Sequence, residues 1–165
     1  MAVSFDKDDN KSRVIAAVEN YFEREELKYT PFNERDVAKA SFRIKSKLQH
    51  VNVFFSAYNN KLIIRIMLPI NSDEAERTKV GEFLMRANYG LQIGCFDYDY
   101  NDGEISYRVP IYCGDDEFTP PTYEQIDDSL MVGIMMVDKY GNSLIKVIFG
   151  LLEPEEAIEE AENTD

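Results

Sequence analysis

Residues 122–149, T-Y-E-Q-I-D-D-S-L-M-V-G-I-M-M-V-D-K-Y-G-N-S-L-I-K-V-I-F, decide how the rest of this chain is read. Thr122 and Gln125 form the two ends of a capping box, which starts a helix. Ile126, Leu130, Ile134, Val137, Leu144 and Ile148 then recur as one stripe at helical spacing. Asp128, Met135, Asp138, Asn142 and Lys146 form a second, mostly polar stripe. Between them, Leu130–Val137 carries no polar side chain and is apolar on every side. Tyr140-Gly141-Asn142 leaves open a break into two helices, because glycine weakens a helix interior. An unbroken helix would run ~42 Å at ~1.5 Å per residue. A strand of eight residues covers only ~27 Å, so the helix would overhang a sheet it covers.

Upstream of this helix, Pro120-Pro121 and the acidic loop Gly114–Phe118 follow a hairpin. In Leu91–Tyr112, Phe96, Tyr98 and Tyr100 alternate with Asp97 and Asp99, and Asp102-Gly103 reads as a two-residue turn. That turn sets Ile105, Tyr107 and Val109 opposite Tyr100, Tyr98 and Phe96. It also places Cys95 and Cys113 on opposite faces and about three residues out of register, too far apart for a disulfide. The run D-Y-D-Y-N-D-G has the look of a calcium loop. An EF-hand needs glycine at its sixth position and glutamate at its twelfth; here those are Asp102 and Arg108, so the match fails.

Ser72–Tyr89 reads as a helix with Val80, Phe83, Leu84 and Ala87 on one side and Gly90 as its left-handed cap. Val37–Pro69 reads as three strands. Leu62, Ile64, Ile66 and Leu68 suit a core face; the other face shows Arg65 beside Ile63 and Met67, together with Arg43 and Lys45, half basic and half apolar. His50, the lone histidine, falls in the turn between the first two of these strands and has no partner set for catalysis. Asp9–Lys28 reads as an amphipathic helix stopped by Thr30-Pro31.

The order α-βββ-α-ββ-α gives an α+β fold, an antiparallel sheet of about five strands packed with helices. Three segments, N-Y-G-L-Q-I-G-C-F-D-Y-D at 88–99, G-E-I-S-Y-R-V-P-I at 103–111 and T-Y-E-Q-I-D at 122–127, resemble the bacterial YbjN-like family. Members of that family are labelled sensory transduction regulators and share a type III secretion chaperone-like fold. The order of elements matches over residues 12–150 or so. The resemblance implies a non-enzymatic binding protein, usually dimeric, and offers no catalytic residues.

Charge is segregated along the chain. Residues 1–90 carry 15 Lys/Arg against 13 Asp/Glu, whereas 91–165 carry 3 against 18, in a protein of net charge −13. Such a field repels phosphate backbones, so no nucleic acid is expected as partner. Residues 1–152 are expected to form one domain and 153–165, with seven acids and no base, a solvated acidic tail in which Pro154 starts a short acidic helix or a frayed end. Residues 2–9, A-V-S-F-D-K-D-D, lack the pattern of a signal peptide. No apolar run reaches the ~18 residues of a membrane span. Reduced cysteines and these absences point to the cytoplasm.

The functional expectation is a non-enzymatic protein-binding, chaperone-like or regulatory module that is homodimeric, needs no cofactor or metal and does not enter a membrane. Its candidate interface is Met131, Val132, Met135, Met136 and Tyr140, on the side of the long helix that one sheet face leaves over. Helices one and two could cover that side instead. A small-ligand sensor using the tyrosine-rich hairpin is the alternative, and Asp97 with Asp99 is the nearest thing to an enzymatic pair.

Overall fold

The computed structural model describes residues 7–163. Residues 1–6 and 164–165 lie outside it, and with them most of the opening segment read for a signal peptide. The elements in order are helix α1 (Lys7–Arg24) and strands β1 (Tyr29–Thr30), β2 (Val37–Arg43), β3 (His50–Ala57) and β4 (Lys61–Met67). Helix α2 (Arg77–Asn88), strands β5 (Cys95–Tyr98) and β6 (Ile105–Tyr112), and helices α3 (Tyr123–Ile148) and α4 (Pro154–Asn163) follow. The strands form one antiparallel sheet in the order β1-β2-β3-β4-β6-β5. The fold is therefore α+β as expected, with six strands where about five were read. The extra one is β1, two residues that no periodicity can reveal.

Alternation on the strands separates two faces cleanly. Ala38, Ala40, Val51, Val53, Phe55, Leu62, Ile64, Ile66, Tyr107 and Val109 are buried and receive α1, α2 and α3. Phe22 of α1 meets Phe55 edge-on at 4.8 Å between ring centres. The intervening residues form the opposite face, over which no described element lies.

Helix α3 is a single helix of 26 residues, and its capping box is formed as the sequence indicates. Gly141 does not break it because that glycine is a contact point. A Cβ there would stand 2.8 Å from Ser46 Oγ and 2.9 Å from Leu48 Cδ1. A Cβ on Gly133 would collide with Ile66. Two missing side chains thus let the helix lie close to β4 and to the β2–β3 connection. The connection is fastened by backbone amides: Ser46 N donates to Asp138 Oδ1 (2.6 Å) and Lys47 N to Asn142 Oδ1 (2.8 Å).

Four local readings need correction. The β5–β6 turn is not the two-residue Asp102-Gly103 type. Asp99 N donates to Glu104 O and Gly103 N to Asp99 O, and the ladder pairs Phe96 with Tyr107 and Tyr98 with Ile105. The register is therefore shifted by two residues from the expected one, around a longer loop, and a shift of two preserves every face. The turn carboxylates accept nearby amides, Asp99 from Asn101 and Asp102 from Glu104, which holds the longer loop without a cation. Helix α2 starts at Arg77 behind a short 3-10 turn, Glu74–Glu76. It ends at Asn88 without Gly90 taking the left-handed cap. Helix α1 ends at Arg24 rather than Lys28, in a left-handed turn at Glu26 where Leu27 N donates to Phe22 O.

The acidic segment expected as a solvated tail is helix α4. Its Pro154, Ala157 and Ala161 are buried against α2 and α3. Glu160 accepts from Ser143 (2.7 Å) and pairs with Lys146, Glu162 accepts from the Tyr140 hydroxyl (3.0 Å), and Lys79 pairs with Glu153 (2.8 Å). The free edge of β5 is closed by a side chain: Phe96 N donates to Asn88 Oδ1 (2.7 Å) and Asn88 Nδ2 to Phe96 O (2.9 Å).

Candidate functional site

Two solvent-facing surfaces stand out, the helix-free face of the sheet and a strip on α3. On the sheet, register sets the neighbours. Lys39 pairs with Phe54, Phe54 with Arg65, Arg65 with Arg108 and Arg108 with Cys95. These residues make one row across five strands, each step ~4.8 Å. The rungs on either side bring Ile63 and Met67 beside Phe54. The Lys39 ammonium lies 5.9 Å from the centre of the Phe54 ring.

The centre of the row is organised by Asp97. Arg108 Nε donates to its Oδ2 at 2.6 Å and Nη2 to its Oδ1 at 3.2 Å, a two-pronged pair. Arg65 Nη1 donates to Asp97 Oδ2 (3.0 Å) and to Ser106 Oγ (2.8 Å). Partial burial pushes the Asp97 pKa up, but the hydrogen bonds and charge of Arg108, joined by Arg65, outweigh it and hold the carboxyl below its ordinary range. One carboxylate thus fixes two guanidiniums and leaves one positive charge over. The Cys95 thiol beside them is pushed up by burial and by Asp97, with Arg108 pulling the other way. A raised pKa favours the protonated thiol over the thiolate.

Asp97 and Asp99 do not form a catalytic pair. Asp97 is spent on the two arginines, and Asp99 closes the turn. His50 is an exposed residue at the start of β3. Both cysteines are free thiols, Cys113 facing the core. Among the described residues no group of three His, Cys, Asp or Glu side chains is placed to hold a metal ion, and no helix is long and apolar enough to cross a membrane.

The tyrosines of the hairpin serve mainly to hold it. Tyr107 is fully buried with its hydroxyl on Ile93 O, and burial pushes its pKa up to about 12. Tyr98 is hydrogen-bonded to Ser72. A shallow cleft of about 340 Å³ lies alongside, lined by Arg65, Asp97, Tyr98, Asp99, Glu104 and Ser106.

The structure brings together four of the five residues expected as an interface on α3. Met131 and Met135 are exposed, Val132 and Met136 half-buried. The pairs Met131–Met135 and Val132–Met136 are one helical turn apart and adjoin, so they make one patch. Tyr140 is not part of it. It is buried, edge-on to Phe83 and Phe96, with its hydroxyl on Glu162. Burial and Glu162 push its pKa up to about 12. Sequence reasoning found Arg65, Ile63, Met67 and Arg43 but missed Lys39, Phe54, Arg108 and Asp97. The signal was present in strand parity, since Lys39 alternates with the buried Ala38 and Ala40 and Phe54 with the buried Val53 and Phe55. The pairing that joins them needs the register.

No protein-family model matches this sequence, and no curated protein matches it. Among solved structures, the chain is similar in fold to YbjN from E. coli, described as "a putative transcription regulator". The TM-score is 0.54 at 7% identity, covering 75% of this chain and 85% of that one. At that identity the likeness is one of fold.

Proposed function

We propose that this protein is a non-enzymatic protein-binding module of regulatory type, acting in the cytoplasm, and that the helix-free sheet face is its binding surface. One observation carries the reading. Phe54 stands opposite Arg65, with Ile63 and Met67 on the same face to either side of that arginine, and no described element lies over them. Apolar side chains inside a charged, pre-ordered frame are the makings of a protein contact. The description of the structural neighbour as a regulator agrees with a binding role.

The test is capture from native lysate with the wild-type chain and with Phe54→Glu, the bound proteins being identified by mass spectrometry. A partner held by the wild type and lost by a folded Phe54→Glu protein is expected. Identical capture by both would defeat the reading.

The methionine patch supports a second, compatible element, self-pairing through α3 into a homodimer. Light scattering would then give twice the 19.1 kDa chain mass for the wild type and the chain mass for Met135→Lys. A wild-type monomer at high concentration rejects it.

A further inference from the structure

We infer that the occupant of the helix-free face is an acidic protein segment with apolar residues interleaved among its carboxylates. The inference rests on the protein-binding reading above and adds the partner's chemistry. It starts from a contradiction in charge. The chain carries −13 overall, yet residues 28–65 hold eight Lys/Arg against only Glu34 and Asp36. Four of these eight, Lys39, Arg43, Lys61 and Arg65, share the helix-free face with Arg108 and with Asp97 as its one strand carboxylate. Neither Lys39 nor Arg43 forms an ion pair with a described carboxylate.

Five of the eighteen Lys/Arg side chains thus lie on the helix-free sheet face against one strand carboxylate, a local excess of positive charge complementary to negative groups. The apolar residues narrow the choice further. Phe54 lies between Lys39 and Arg65 in the row, and Ile63 and Met67 flank Arg65 along β4. An extended segment whose one face carries carboxylates and apolar side chains in turn, at every second residue, would meet both kinds of group at the spacing of Ile63, Arg65 and Met67 along β4. Its carboxylates would lie over β2 to β4, because the β5–β6 border bears Asp99 and Glu104.

Nucleic acid fits less well. At physiological salt the screening length is about 8 Å, so a short acidic segment responds to the local cations. A longer polyanion extends past them and meets the acidic remainder of the molecule.

The experiment uses the full chain and fluorescence anisotropy with three labelled probes. They are a peptide of roughly twelve residues in which every second position is Glu or Leu in turn and serine stands between them, the same peptide with Lys for Glu, and single-stranded DNA of matching length. The acidic peptide is expected to bind, to weaken with added salt, and to lose about tenfold or more in affinity with Lys39→Glu/Arg43→Glu. The milder pair Lys39→Gln/Arg43→Gln should lose affinity in the same direction, and Lys139→Glu on the exposed side of α3 should change nothing. Equal binding of the Lys peptide, tighter binding of the DNA, or indifference to both paired variants overturns the inference. If the acidic peptide fails while Phe54→Glu still abolishes lysate capture, the partner chemistry is wrong and the binding face stands. If capture ignores Phe54→Glu, the binding face fails and this inference with it.

Discussion

Gly133 and Gly141 show how single residues set the distance between layers. Each occupies a point where a methyl group would strike a neighbour, Ile66 in one case and Ser46 with Leu48 in the other. Gly133→Val should therefore overpack the interface and cost about 1–3 kcal/mol in urea denaturation. Gly90 has no neighbour within reach of an added Cβ and no left-handed backbone. Gly90→Ala should be neutral, or stabilise by about 0.5 kcal/mol by restricting the unfolded chain. A Gly133→Val protein as stable as wild type would mean that α3 does not sit where it is described. In the sequence these glycines look like weaknesses, and Gly141 invites a break in the helix. What they touch lies far off in sequence, Ile66 of β4 for Gly133 and the β2–β3 connection for Gly141, as the 92-residue separation of Ser46 from Asp138 illustrates, and no local pattern carries that information.

Helix α4 gives the same lesson for an element. Its acids suggest solvation, and its apolar stripe, Pro154, Ala157, Ile158 and Ala161, is short and built mostly of small side chains, so it is easily overlooked beside them. The acids are partly matched by bases and hydroxyls on α2 and α3. Ending the chain at Glu153 should uncover the Tyr140 and Ser143 hydroxyls along with apolar surface, and lower the free energy of unfolding by about 2–4 kcal/mol. An unchanged urea midpoint is the outcome that a merely solvated tail would give, and it would refute the packing. Removing one contact should matter far less. Lys146 and Glu160 are each more than a third exposed, so Glu160→Gln should cost under about 1 kcal/mol. By contrast, the start of α3 was readable to the residue, because a capping box is a local device with a fixed spacing. Strand β1 was not, since two residues have no period.

For the whole molecule, charge and proton binding define where the fold is stable. Asp97 and Glu160 have pKa values below their ordinary 3.8 and 4.5. As pH falls through that range the unfolded chain takes up protons that the folded one refuses, so stability drops on the acid side. Tyr107 and Tyr140 are raised from 10.0 to about 12. Between those values the unfolded chain has lost protons that the folded chain keeps, so stability falls again as pH rises. Urea midpoints measured across pH should show a plateau with a loss on each flank, and Tyr140→Phe should shrink the alkaline loss. An alkaline limb identical in Tyr140→Phe would place the cause elsewhere, in general repulsion. The overall imbalance of charge was legible from the sequence as a split between the two halves of the chain. Its sorting onto one face was not, because Lys39, Arg65 and Arg108 become neighbours only through strand pairing.

The amide of Asn88 occupies, on Phe96, the place that a neighbouring strand would take. A row of open amides and carbonyls is a template on which other chains can polymerise. Here one margin is sealed by a side chain, and the other begins with the short β1 over Lys39 and Ala40. Copies therefore cannot line up margin to margin into a fibre, because growth from the β1–β2 side finds no matching side to continue from. A protein whose Phe54, Ile63 and Met67 lie on the open sheet face can thus meet another protein there without its sheet margins templating a fibre.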